Sequence, residues 1–329
     1  MSSDRVELCG STLDGRYKLL QRIGVGGTGV VFMARRLRDG LALAVKTLRP
    51  RYVAHVDLGK RLLREAEVAR RTRHPGIVEA LDTGRLPDGS PYLVMPLLQG
   101  EGLSLLLARV STLPADELAA VICRVAGILH CAHGAGYVHR DVKPEHILLS
   151  RTASGQLGVH LLDFGVCASD AAPEEERLRE EGKVYGTPSY ASPEQAAGVA
   201  CVDARADLFA LGIVMFEALT GELPFQGTTV AKLLTAIMRD KPPAVLERAP
   251  QADPNLSALI GRLLEQDLGK RLPSARALAR ALTCYVGDRV AVEARLCARL
   301  HMGVQTLDDP LSSTPAPMVA APMPQPQVA

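Results

Sequence analysis

The pattern of apolar residues changes character at Leu98-Gln99-Gly100. Before this point the apolar runs alternate or are β-branched, and they end at Gly, Asp-Gly or Pro. That predicts strands over 17–23, 30–36, 41–48, 77–86 and 92–95. Asp39-Gly40 marks a hairpin turn. One helix interrupts the strands at 58–73, with Leu62, Ala66 and Ala69 on one face and His74-Pro75 at its end. Beyond the change the periodicity predicts helices over 115–136, 206–220, 230–240, 256–264 and 274–286. Strands segregated from helices predict an α+β fold of two lobes. The β-rich lobe with its one helix takes 17–95, a hinge 96–102, and the helical lobe 103–286. Residues 1–16 read as a polar leader, and a further amphipathic helix is expected within 287–303. Residues 304–329 hold six prolines between Pro310 and Pro326 and almost no charge, which predicts a disordered tail.

Composition narrows the function classes. A chain of 329 residues that is 47% hydrophobic can build a large core. Its net charge of +2 is spread along the chain and leaves no footprint for nucleic acid. The seven cysteines are odd in number, scattered, and contain no C-x-x-C, as expected of reduced thiols in a cytoplasmic protein. No apolar run follows the N-terminus and none reaches 18 residues, so neither a signal peptide nor a membrane span is expected.

Gly24-Val25-Gly26-Gly27-Thr28-Gly29 has the spacing of a phosphate-cradling loop, in which the lack of Cβ lets backbone N–H groups approach phosphate oxygens. A dinucleotide fold would place a helix directly after it. Here Val30-Val31-Phe32-Met33-Ala34 reads as a strand, so the glycines lie between two strands. Seventeen residues after Gly29 comes Lys46, in Leu43-Ala44-Val45-Lys46. A lysine there needs a carboxylate to hold it. Glu65 borders the apolar face of the first helix, whereas Glu67, the competing candidate, points further away. Later come His139-Arg140-Asp141-Val142-Lys143-Pro144-Glu145-His146 and, twenty residues on from Lys143, Asp163-Phe164-Gly165.

Taken in order with Gly186-Thr187-Pro188-Ser189-Tyr190, Ser192-Pro193-Glu194, Asp207 and Arg271, these motifs resemble bacterial serine/threonine protein kinases of the eukaryotic (Hanks) type over residues 17–286. The resemblance implies ATP-dependent phosphorylation of Ser and Thr hydroxyls on protein substrates, with Mg²⁺ as cofactor and Mn²⁺ as its alternative. It assigns catalysis to Asp141 and Lys143. Nucleotide binding falls to Gly24, Gly26, Gly29, Val31, Ala44, Lys46, Glu65, Met95, Pro96, Leu98 and Leu148. Pro96 keeps the carbonyl that adenine would use and lacks only an N–H. Asp163 would bind the metal, His139 and Phe164 would pack in the core, Asp207 would anchor the catalytic loop, and Glu194 would pair with Arg271.

The sequence departs from the family in three places. His146 stands where the family has Asn, a bulkier and softer ligand for Mg²⁺. It predicts retained nucleotide binding with weakened phosphoryl transfer; the alternative hypothesis is rescue by Mn²⁺, and a nucleotide-binding pseudokinase acting as a regulatory scaffold is also left open. Leu272 stands where Pro is usual. No Ser or Thr lies between Ser169 and Thr187; Glu180 and Glu181 either stand in for a phosphate or form a solvated acidic loop, and Tyr185 is a candidate modification site.

Overall fold

The computed structural model describes residues 8–152, 154–169, 186–199, 202–301 and 307–308. In the first lobe, β1 (Thr12–Leu13), β2 (Tyr17–Val25), β3 (Gly29–Arg36) and β4 (Ala42–Leu48) are neighbours in chain order. β5 (Asp82–Arg85) and β6 (Pro91–Pro96) extend the sheet in the order β1-β2-β3-β4-β6-β5, with these six strands antiparallel to their neighbours. Alternation sorts β4 between two apolar layers. Leu43 and Val45 join Leu19, Phe32, Tyr92 and Val94 on one side; Leu48 meets Leu93 and Leu62 on the other. Ala44 and Lys46 share the Leu48 side, which is how β4 aims an ammonium at the helix behind it.

That helix, α1 (Val56–Thr72), buries Leu62, Val68 and Ala69. Arg73 closes it in the left-handed region, donating its N–H to the Ala69 carbonyl at 3.2 Å. Pro75 then blocks continuation. Two expectations need correcting in this lobe. The presumed polar leader contributes β1, whose Leu13 is buried. The strand expected over 77–86 is confined to Asp82–Arg85. Before it the chain turns under a bond from Gly76 N–H to His74 Nδ1, and Ile77 makes a lone bridge to Leu161 in the other lobe.

The second lobe starts with β7 (Gly100–Gly102), α2 (Leu103–Val110) and α3 (Ala115–Gly134), then β8 (Tyr137–Val138). A hairpin of β9 (Ile147–Arg151) and β10 (Leu157–Leu161) pairs with β7 through β9; β11 (Ala168–Ser169) pairs with β8. Helices follow: α4 (Pro193–Ala196), α5 (Arg205–Thr220), α6 (Val230–Arg239), α7 (Val245–Arg248), α8 (Pro254–Leu263) and α9 (Ala275–Val286). α5 is apolar all round and is buried along nearly its whole length, as a core helix must be. Among the described residues no helix is long and apolar enough to cross a membrane.

α10 (Arg289–Arg299) docks on the back of α3. It buries Val292, Leu296 and Cys297, and Asp288 caps it by accepting from Val290 and Ala291 N–H. Fully buried Glu117 of α3 faces Arg295 and Arg299 at 3.5 and 3.2 Å, and Arg124 meets Glu293 at 2.5 Å. Of the presumed disordered tail, Leu307–Asp308 pairs in parallel with Gly24 and Val25 of β2.

Candidate active site

The lobes enclose a cleft with a cavity volume of about 220 Å³. Its roof carries Gly26, Gly29, Val31, Ala44 and Lys46, its inner edge Met95, Pro96 and Leu98, and its floor Asp141, Lys143, His146, Leu148 and Asp163. Gly24 alone among the candidate residues is off the wall. It pairs with Val31 inside β2, at a register shift.

Lys46 is the link between roof and floor. Its Nζ lies 2.6 Å from Glu65 Oε1 and 3.3 Å from Asp163 Oδ1. Glu67 is turned elsewhere, accepting from Tyr137 Oη at 3.1 Å and pairing with Arg71 at 3.0 Å. Burial pushes the Glu65 carboxyl up to about 7, against the attraction of Lys46. Burial works the same way on Asp163, but the Lys46 ammonium holds it well below the usual carboxylate range.

The segment between β8 and β9, which carries Asp141 and Lys143, is fixed from below. Asp207, in the first turn of α5, accepts from the backbone N–H of His139 at 2.9 Å and of Arg140 at 2.8 Å. His133 meets the same carboxylate at 2.8 Å. Although burial opposes ionisation, these bonds keep Asp207 below its ordinary range. Arg140 and Asp163 both adopt positive φ, 66° and 63°, a strained choice for non-glycine residues that clusters where function demands it. His139 is fully buried, edge-on to Phe164 at 4.5 Å.

Asp141 Oδ1 accepts the Thr187 N–H at 2.8 Å, and Lys143 Nζ donates to Thr187 Oγ1 at 2.6 Å. Asp141 Oδ2 faces Lys143 at 3.7 Å and His146 Nδ1 at 3.5 Å. Burial opposes charge on Asp141, but Lys143 holds its carboxyl below the ordinary value. Gly186 is required beside it. Its φ is +91°, and a Cβ there would stand 2.7 Å from the Arg140 carbonyl oxygen.

His146 spans the gap between the two acidic groups. Its Nδ1 is 2.8 Å from the Asp141 carbonyl oxygen, and its Nε2 is 3.7 Å from Asp163 Oδ2. Burial, reinforced by Lys143, lowers its pKa to about 4, so the ring is neutral near pH 7.

Glu194 and Arg271 form a two-pronged pair at 2.7 and 3.1 Å. Leu272, in place of the usual Pro, is buried and donates its N–H to the Arg262 carbonyl at 3.2 Å, a bond proline could not make. Glu180, Glu181 and Tyr185 lie outside the described residues. One contact was missed from sequence. Gln195 Nε2 donates to the Arg140 carbonyl at 2.7 Å, bracing the strained residue. Its signal was present as Ser192-Pro193-Glu194-Gln195, a capping-box pattern that α4 adopts.

A strand-built lobe thus closes on a helical one over an ammonium shared by two carboxyl groups. Residues 17–282 match the protein kinase domain model, and the chain belongs to that family. Serine/threonine-protein kinase pkn3 of Myxococcus xanthus is 34% identical over 289 residues, 87% of this chain and 53% of that protein. Serine/threonine-protein kinase pkn2 of the same organism is 36% identical over 276 residues, 82% of this chain and 32% of its own length. The chain thus spans about half or less of these relatives. Among solved structures, the Mycobacterium tuberculosis PknI kinase domain aligns with a TM-score of 0.65 at 29% identity, covering 84% of this chain and 98% of that one.

Proposed function

We propose that the chain transfers the γ-phosphoryl group of ATP to serine and threonine hydroxyls of protein substrates. The observation that carries this reading is Lys46, held by Glu65 at 2.6 Å and Asp163 at 3.3 Å on the wall opposite Asp141. Phosphoryl transfer asks a protein mainly for positioning and charge neutralisation. The glycine loop from Gly26 to Gly29 and the ammonium of Lys46 would take the phosphates. Val31, Ala44, Met95 and Leu148 would sandwich the base, with the backbone of Pro96 and Leu98 at its edge.

Asp141 is ionised and pinned by Thr187, so it is suited to orient a substrate hydroxyl and receive its proton. Lys143 would meet the charge on the moving phosphoryl group. The floor fits a divalent cation, because a carboxylate and an imidazole nitrogen face the same space. Asp163 and His146 would hold that ion, and when bound it would screen the phosphate charges.

Autophosphorylation and transfer to a generic Ser/Thr-containing protein, with Mg²⁺ and with Mn²⁺, test the proposal against Asp141→Asn as blank. Label on Ser or Thr in wild type and none in the variant is expected. If wild type binds ATP yet transfers no label with either ion, the proposal fails and a nucleotide-binding scaffold replaces it.

A further inference from the structure

We infer that His146 makes this cleft selective for a transition divalent cation of the Mn²⁺ type over Mg²⁺, with its Nε2 as a direct ligand beside Asp163. This rests on the nucleotide reading given above. Hydrogen bonding fixes the tautomer. A backbone carbonyl only accepts, so Nδ1, at 2.8 Å from the Asp141 carbonyl oxygen, carries the ring proton. Nε2 therefore keeps its lone pair, and it faces a second acceptor, Asp163 Oδ2, at 3.7 Å. Two acceptors opposed in this way repel one another unless a cation lies between them. Their separation is within the roughly 4.2 Å that two metal–ligand bonds of about 2.1 Å can span. One ring thus does both jobs that an Asn amide would do: one nitrogen braces the loop and the other addresses the metal.

Mg²⁺ favours an all-oxygen octahedron and dehydrates reluctantly. Imidazole nitrogen suits Zn, Cu, Fe and Ni best; Mn²⁺ also takes oxygen ligands, but as a transition ion it accepts that nitrogen more readily than Mg²⁺ does. No trio of His, Cys, Asp or Glu among the described residues forms a complete cage. Phosphate oxygens and water would supply the remaining ligands. His139 is no rival ligand. Its Nε2 lies 2.9 Å from the Leu162 carbonyl oxygen, and its Nδ1 accepts the Asp141 N–H at 3.2 Å.

The probe is Mn²⁺ itself, with ADP as the nucleotide. Electron spin-echo spectroscopy of the full chain loaded with both should detect a directly bound nitrogen. Isotopic labelling of histidine nitrogen alone should change that coupling, which separates His146 from adenine without any substitution. In His146→Asn the coupling should vanish. The preference for Mn²⁺, read by Mg²⁺ competition, should drop by about tenfold or more. A Mn²⁺–ADP complex with no histidine coupling overturns the inference and leaves nucleotide binding standing. Failure to bind ADP with either ion overturns the nucleotide reading, and the inference falls with it.

Discussion

At the scale of single residues, burial drives His146 and Glu65 alike toward their neutral forms, moving one pKa down and the other up. His146 stays neutral and gains a fixed proton position. Replacing it by Asn should raise Mg²⁺-dependent turnover by about tenfold or more, with nucleotide affinity unchanged, as measured by steady-state phosphate transfer. No gain would mean that the imidazole does not limit the reaction. Glu65 instead moves from 4.5 up to about 7. Between those values the folded chain keeps a proton that the unfolded chain has lost. Its contribution to stability therefore falls as pH rises from about 4.5 to 7, and the carboxylate–ammonium pair is complete only above that. Infrared spectra of the nucleotide-free chain should show a carboxylic C=O band that titrates out near pH 7 and is missing in Glu65→Gln; a band unaffected by that change would refute the assignment. Lys46, Glu65 and Asp163 were legible because each sits in a motif of fixed spacing. The tautomer of His146 was not legible. It depends on a carbonyl five residues earlier, brought round by a short 3-10 turn that spacing alone does not disclose.

Among the elements, the segment carrying Glu194 is tied to the loop after α8 by a guanidinium with no exposed side-chain surface. Arg271→Ala would strand that carboxylate, at a cost of about 3–5 kcal/mol for breaking a buried pair. Urea unfolding measures it; a loss below about 1 kcal/mol would demote the pair to surface decoration. Long helices were read from sequence to within a few residues, since a strong period fixes the buried face. The short α2 and the β9–β10 hairpin were missed because apolar runs such as Ile147-Leu148-Leu149 suit a strand or a helix turn equally. The opposite error, a strand drawn through residues 77–81, came from an apolar run in which Ile77 bridges to the other lobe and Leu81 is exposed.

For the molecule as a whole, the two-lobed plan was visible in the switch of periodicity, and α10 was expected, but its docking was not. It depends on Glu117 lying opposite two arginines almost 180 residues later, a pairing no local pattern encodes. Ending the chain after Asp288 should strip Glu117 of both arginines and uncover the apolar seat of Val292 and Leu296. The melting temperature should fall, and Glu117→Gln should restore part of the loss in the shortened chain. An unchanged melting curve would mean that α10 rests on the lobe without supporting it.

The bond from Asp207 to the catalytic segment lies wholly within the lower lobe, so swinging the roof away leaves the floor intact. What the swing does alter is the company Lys46 keeps. In the cleft its ammonium answers two carboxylates, and under the proposed reading an arriving triphosphate would compete with them for it. Asp163 would then be held less by Lys46 and more by the cation the phosphates bring. Nucleotide and metal should therefore load as one swap of partners, each weak alone and tight together.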